Sequence, residues 1–110
     1  MTPKPLRLRP AARADSRRIA AYYAAEAGEP VAQSFLAALQ RAFDHLRAYP
    51  ASGSLRFEPD TGLPGLRVWP VRRFPHLLLY FDRADHVDVA RILHGSRDIP
   101  KLLRRTALSR

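Results

Sequence analysis

A chain of 110 residues suits one folded domain and is too short for two, since two cores would each be marginal. Its 46% hydrophobic and 26% charged residues fit a soluble globular domain and exclude a disordered tail. Nineteen basic against ten acidic residues give a net charge of +9, which points to a polyanionic target or an acidic protein partner, and the lack of cysteine excludes a disulfide scaffold, a thiolate zinc site and cysteine catalysis.

Leu6-Arg7-Leu8-Arg9 alternates apolar and basic residues, which predicts a short half-buried strand ending at Pro10. Ala11–Ala27 follows with helix formers throughout, and Gly28 stops that helix by accepting the backbone conformation of a helix end. Pro30 suits the first turn of a second helix, in which Val31, Phe35, Leu39, Ala42, Phe43 and Leu46 recur every three or four residues. So short a link predicts an antiparallel helical hairpin. Residues 52–65 are rich in turn formers and read as a loop, with a short strand expected at Leu55–Phe57. Three strands are expected at Leu66–Val71, Leu77–Phe81 and Val87–Leu93, with Pro70 and Pro75 demanding a bend, a bulge or an edge. A short helix containing Leu102 and Leu103 closes the chain. The order predicts an α+β fold: an N-terminal strand and a helical hairpin packed on a three- to four-stranded antiparallel sheet.

The basic excess is confined. Residues 1–18 carry six basic side chains against one acidic, residues 67–73 carry three with none acidic, and residues 96–110 carry five against one, whereas the stretches between are slightly acidic. Codon bias alone would spread an arginine excess evenly. No apolar run exceeds seven residues, Leu77–Phe81 being five, where a membrane helix needs about twenty, and the amino terminus lacks a secretory leader's apolar core. A cytoplasmic location is therefore the expectation.

Chemistry is sparse. His45, His76, His86 and His94 form no pair at helical i, i+4 spacing, so no metal site is expected, and neither a phosphate loop nor a Gly-x-Ser-x-Gly frame is present. General acid–base cleavage of RNA is the one catalytic candidate, with His94 as the acid–base group, Arg91 and Arg97 three residues either side, and Tyr80 as a phenol. A histidine at a strand end also has a structural reading, a hydrogen bond to the following Gly95-Ser96 turn. The helices are the less basic part of the chain, which argues against a recognition helix for DNA.

The order Leu8, Pro10, Ala12, Asp15, Ile19, Tyr22-Tyr23, Glu26, Gly28, then Ala32, Phe35, Leu39, Pro50 and Gly53, resembles the opening of the ParE/RelE family of bacterial toxins. Leu66-Arg67, Trp69-Pro70-Val71, Phe74-Pro75, Tyr80 and Val89-x-Arg91-Ile92-Leu93-His94-Gly95-x-Arg97-Asp98 extend the resemblance over residues 6–103, the last string looking like the ParE branch. The resemblance implies a single-domain toxin of a type II toxin–antitoxin system, without cofactor or metal, held in a hetero-oligomer by an acidic, ParD-like antitoxin. ParE-like members poison DNA gyrase; RelE-like members cut messenger RNA on the ribosome. The nucleases use lysines and arginines on the sheet and a late tyrosine or histidine; His94 lies near the place of that histidine, whereas the chain has only Lys4 and Lys101 and no aromatic residue after Arg97. That favours a gyrase inhibitor acting by binding, with growth arrest through blocked replication and no catalytic residue. The alternative is a metal-independent mRNA endonuclease using His94, Arg91, Arg97 and Tyr80. Arg67, Arg73, Arg91, Arg97, Arg104 and Arg105 are the target-binding candidates; Tyr23, Ala24, Leu55, Phe57, Leu66 and Val68 are the antitoxin-binding candidates.

Overall fold

Proline and glycine set most of the element boundaries. The computed structural model describes residues 2–105 and 108–109. Strand β1 (Leu6–Leu8) ends two residues before Pro10, which opens helix α1 (Pro10–Ala27), where the missing N–H of proline costs nothing. Gly28, at φ 96°, is the single residue between α1 and helix α2 (Glu29–Ala48), so the helices fold back as the expected hairpin. Helix α2 buries Ala32, Phe35, Ala38, Leu39, Ala42, Phe43 and Leu46 along one face.

After a 3-10 turn at Pro50–Ser52, the chain departs from the sequence expectation at Leu55–Phe57. Only Ser54 bridges to Val68, by hydrogen bonds of 3.0 and 2.9 Å, and the chain then turns into a one-turn helix, α3 (Glu58–Thr61). Pro59 explains the switch, since it cannot donate to a ladder but fits the first turn of a helix. Strands β2 (Leu66–Pro70), β3 (His76–Asp82) and β4 (Val87–His94) form an antiparallel meander, and helix α4 (Ile99–Arg105) ends it.

The sheet order is β1-β4-β3-β2, and β1 runs parallel to β4, so the sheet is mixed rather than wholly antiparallel. A parallel neighbour needs a long connection, and everything from α1 to β3 supplies it. Both faces of the sheet are covered. Leu78, Tyr80, Val87, Val89 and Ile92 pack under the hairpin, while Leu66, Leu79, Phe81, Ala90 and Leu93 pack with Ile99 and Leu103 of α4.

Two carboxylates fix the frame. Strand β1 pairs with β4 only as far as Val89; beyond it the Ile92 N–H donates to Asp15 of α1 at 2.9 Å. Arg91 closes on the same carboxylate through Nε (2.8 Å) and a terminal nitrogen (3.0 Å), and Arg18 adds a third donor at 2.8 Å. Asp88 is gripped likewise by Arg9 and Arg83, whose guanidinium groups lie 5.5 and 4.6 Å from the centre of the Phe81 ring. Part of the basic excess is thus internal scaffolding.

Candidate functional site

The catalytic alternative requires His94, Tyr80, Arg91 and Arg97 on one surface; Arg97 does lie beside His94, its N–H donating to the His94 carbonyl at 3.1 Å, but the fold withdraws Tyr80 and Arg91. Tyr80 is fully buried, its hydroxyl donating to the Pro50 carbonyl at 2.7 Å and accepting from the Gly53 N–H at 2.8 Å. Burial pushes the phenol above its ordinary value, against smaller downward pulls from Gly53 and Arg67. Tyr80 is therefore a strut between sheet and turn, correcting its candidacy as a catalytic phenol. Arg91 is bound to Asp15 and is equally unavailable, either to a scissile phosphate or to a protein target. Burial is the largest influence on Asp15 and pushes its carboxyl up, but the hydrogen bonds from Arg91, Ile92 and Arg18 together hold it below the ordinary carboxylate value.

His94 ends β4 and is exposed. Its Nδ1 accepts the backbone N–H of Ser96 at 3.0 Å and faces the Ser96 hydroxyl at 2.7 Å. A backbone N–H can only donate, so the proton of the neutral ring sits on Nε2 and the outward nitrogen has no lone pair to act as a base. Across the strand pair lies His76, its register partner, with ring centroids 5.3 Å apart. His76 is buried against Tyr23 and Phe35, and its Nδ1 has no hydrogen-bond partner. Burial, and secondarily His94, depress its pKa. These histidines, with Arg18, Ile19, Tyr22 and Tyr23, line a cleft of about 400 Å³ between α1 and the strand ends.

The target-binding candidates divide. Arg67 is turned inward, donating to the carbonyls of Ala51 (3.0 Å) and Gly53 (2.8 Å), so like Arg91 it serves the fold. Arg73 stands exposed on the β2–β3 turn at φ 71°. Arg97 and Arg105 line one hollow on α4 together with Lys101, and exposed Arg104 reaches the Asp60 carbonyl at 3.1 Å. The chain terminus therefore gathers a cationic surface.

Among the antitoxin-binding candidates, Leu66 and Val68 are corrected: their side chains are buried at 0% and 4% exposure and cannot meet a partner. The alternation of β2 accounts for this, since both residues fall on its buried positions. Tyr23 and Ala24 are half-buried, Tyr23 packing edge-on to Phe74 at 5.4 Å; Leu55 is 40% exposed, and half-buried Phe57 lies under the Arg56 guanidinium. Sequence reading missed the exposed Tyr22 and Tyr49, both at 61%, and the half-exposed Leu36. It also gave no role to Asp15. The signal existed: a carboxylate at 15 interrupts an apolar stripe at 12, 19 and 23 in a chain rich in arginine.

Among the described residues, no three His, Asp or Glu side chains gather in a way that could hold a metal ion, and no helix is long and apolar enough to cross a membrane. The family model described as the ParE toxin of the type II toxin–antitoxin system parDE matches residues 6–99. The chain belongs to the ParE toxin family. A solved structure titled "Chromosomal ParDE TA system from P. aeruginosa" shares the fold at TM-score 0.69 and 19% identity, covering 83% of this chain and 95% of that one. The comparison with curated proteins finds no match. As a ParE-family toxin, the chain has an antitoxin partner implied by the two-component system for which the family is named.

Proposed function

We propose that this ParE-family chain inhibits DNA gyrase by binding it, blocks replication, and is neutralised in a hetero-oligomer by an acidic antitoxin in the cytoplasm. The observation that carries the reading is the commitment of the would-be catalytic groups to structure. Tyr80 serves the 50–53 turn, Arg91 serves Asp15, and Nδ1 of His94 accepts from the Ser96 N–H. What remains for function is a binding surface, whose strongest charge is the group Arg97, Lys101, Arg104 and Arg105 around α4. Arg73 is a further candidate for the target, while Tyr22, Tyr23, Ala24, Leu55 and Phe57 offer apolar footing to an antitoxin.

Growth assays with induced variants separate binding from cleavage. His94→Ala is expected to arrest growth as the wild type does, whereas Arg97→Ala with Arg105→Ala loses the arrest while remaining folded. Loss of toxicity in a folded His94→Ala protein, with messenger RNA cut only by the wild type, would replace gyrase by the ribosome.

A further inference from the structure

A second concave surface lies on α2, whereas the histidine cleft lies on α1. The groove between α2 and the end of β2 encloses about 300 Å³, with Ala38, Ala42, Arg41, Arg72, His45 and Trp69 among its walls. His45 and Trp69 are stacked, their ring centroids 4.4 Å apart and their planes 10° from parallel. The Ser52 hydroxyl donates to the Tyr49 carbonyl at 2.7 Å, so it accepts from the His45 Nε2–H at 3.0 Å and holds that ring in place. The result is a fixed aromatic pair, one ring laid over the other, and the two alanines leave room beside it.

The charged groups around this pair are all cationic. Arg41, Arg72 and the Trp69 indole N–H have no hydrogen-bond or ion-pair partner among the described residues, in contrast to Arg9, Arg67, Arg83 and Arg91. No aspartate or glutamate lines the groove. A stacked aromatic pair flanked by two unpaired guanidinium groups complements a ligand that is flat, rich in acceptors and anionic. Aromatic rings stack on any nucleobase, and guanidinium forks match phosphate oxygens. The volume is at the small end of ligand pockets, the scale of one nucleotide. We propose that this groove binds a nucleoside monophosphate, with the base against the His45–Trp69 pair and the phosphate between Arg41 and Arg72. Binding of this kind does not depend on gyrase being the toxin's target.

Trp69 is the only tryptophan in the chain, so its fluorescence reports the groove directly. The full-length protein is titrated with AMP and GMP, with adenosine, ribose 5-phosphate and a single-stranded dT oligomer as comparisons. Saturable quenching by a nucleotide is expected, at least tenfold weaker for adenosine and for the Arg41→Gln/Arg72→Gln variant, and unchanged in Arg17→Gln. Ribose 5-phosphate, lacking the base, should bind at least tenfold more weakly too. Absence of saturable nucleotide binding overturns the proposal, as does equal affinity for adenosine or for ribose 5-phosphate. Undiminished binding by the double variant, with its thermal melt matching the wild type, overturns it as well. Quenching by the oligomer alone would make the groove a nucleic-acid contact instead.

Discussion

Replacing Asp15 by alanine removes the acceptor shared by Arg91, Arg18 and the Ile92 N–H. The Asp15 side chain is wholly buried and that of Arg91 is 15% exposed, so the variant leaves a guanidinium and a backbone donor without partners in a low-dielectric site. Breaking one side of such a pair costs about 3–5 kcal/mol. Exposed Arg18 adds little, because water replaces its partner. For a domain of this size, about 4 °C per kcal/mol predicts a melting point roughly 12–20 °C lower. Replacing Arg91 by methionine in the same chain should recover part of the loss, since the buried charge is then gone. The pH dependence has a defined sign. The carboxyl titrates lower in the folded than in the unfolded state, so its stabilisation is present in full above the unfolded value near 3.8 and disappears as pH falls through the folded one. Thermal and urea denaturation at pH 7 and pH 3 are the assays, and the gap between wild type and Asp15→Ala should narrow at pH 3. A loss below about 1 kcal/mol at neutral pH would refute the pair's role in joining α1 to β4.

His76 gives the corresponding test for a base. Its folded pKa is depressed, so its stabilisation holds above the unfolded value near 6.5 and is lost as pH falls toward the folded one. His76→Phe, which fills the aromatic cluster without an orphaned nitrogen, should flatten the stability difference between pH 7.5 and pH 5.5; an unchanged difference would acquit His76. A Cβ on Gly53 would come within 2.5 Å of the Tyr80 hydroxyl, so Gly53→Ala should destabilise by about 1–3 kcal/mol in urea denaturation. Tyr80→Phe abandons the Gly53 N–H and the Pro50 carbonyl and should cost about 1–3 kcal/mol, with growth arrest retained at permissive temperature.

The hairpin was legible because its signals are local: Pro10, Gly28 and Pro30 mark its ends, and the spacing from Val31 to Leu46 marks its buried face. The direction of β1 was not, because three residues carry no information about which neighbour they join. Pairing across distance also hid the roles of side chains. Arg91 and Asp15 lie 76 residues apart, and nothing near either position distinguishes a guanidinium that grips a buried carboxylate from one offered to a target. Leu66 and Val68 looked available because a loop-rich segment precedes them, yet β2 turns both inward against its neighbours. The basic cluster around α4 was readable as composition, since the charge there stays exposed on folding, whereas that of Arg67 and Arg91 on the strands is consumed.

Supercoiling by purified gyrase, with and without the antitoxin-free chain, tests the central claim most directly. The binding account predicts loss of supercoiling at near-stoichiometric toxin with cleaved DNA accumulating, equally for wild type and His94→Ala, and relief on adding the antitoxin. Undisturbed supercoiling by a folded chain that still arrests growth would contradict it.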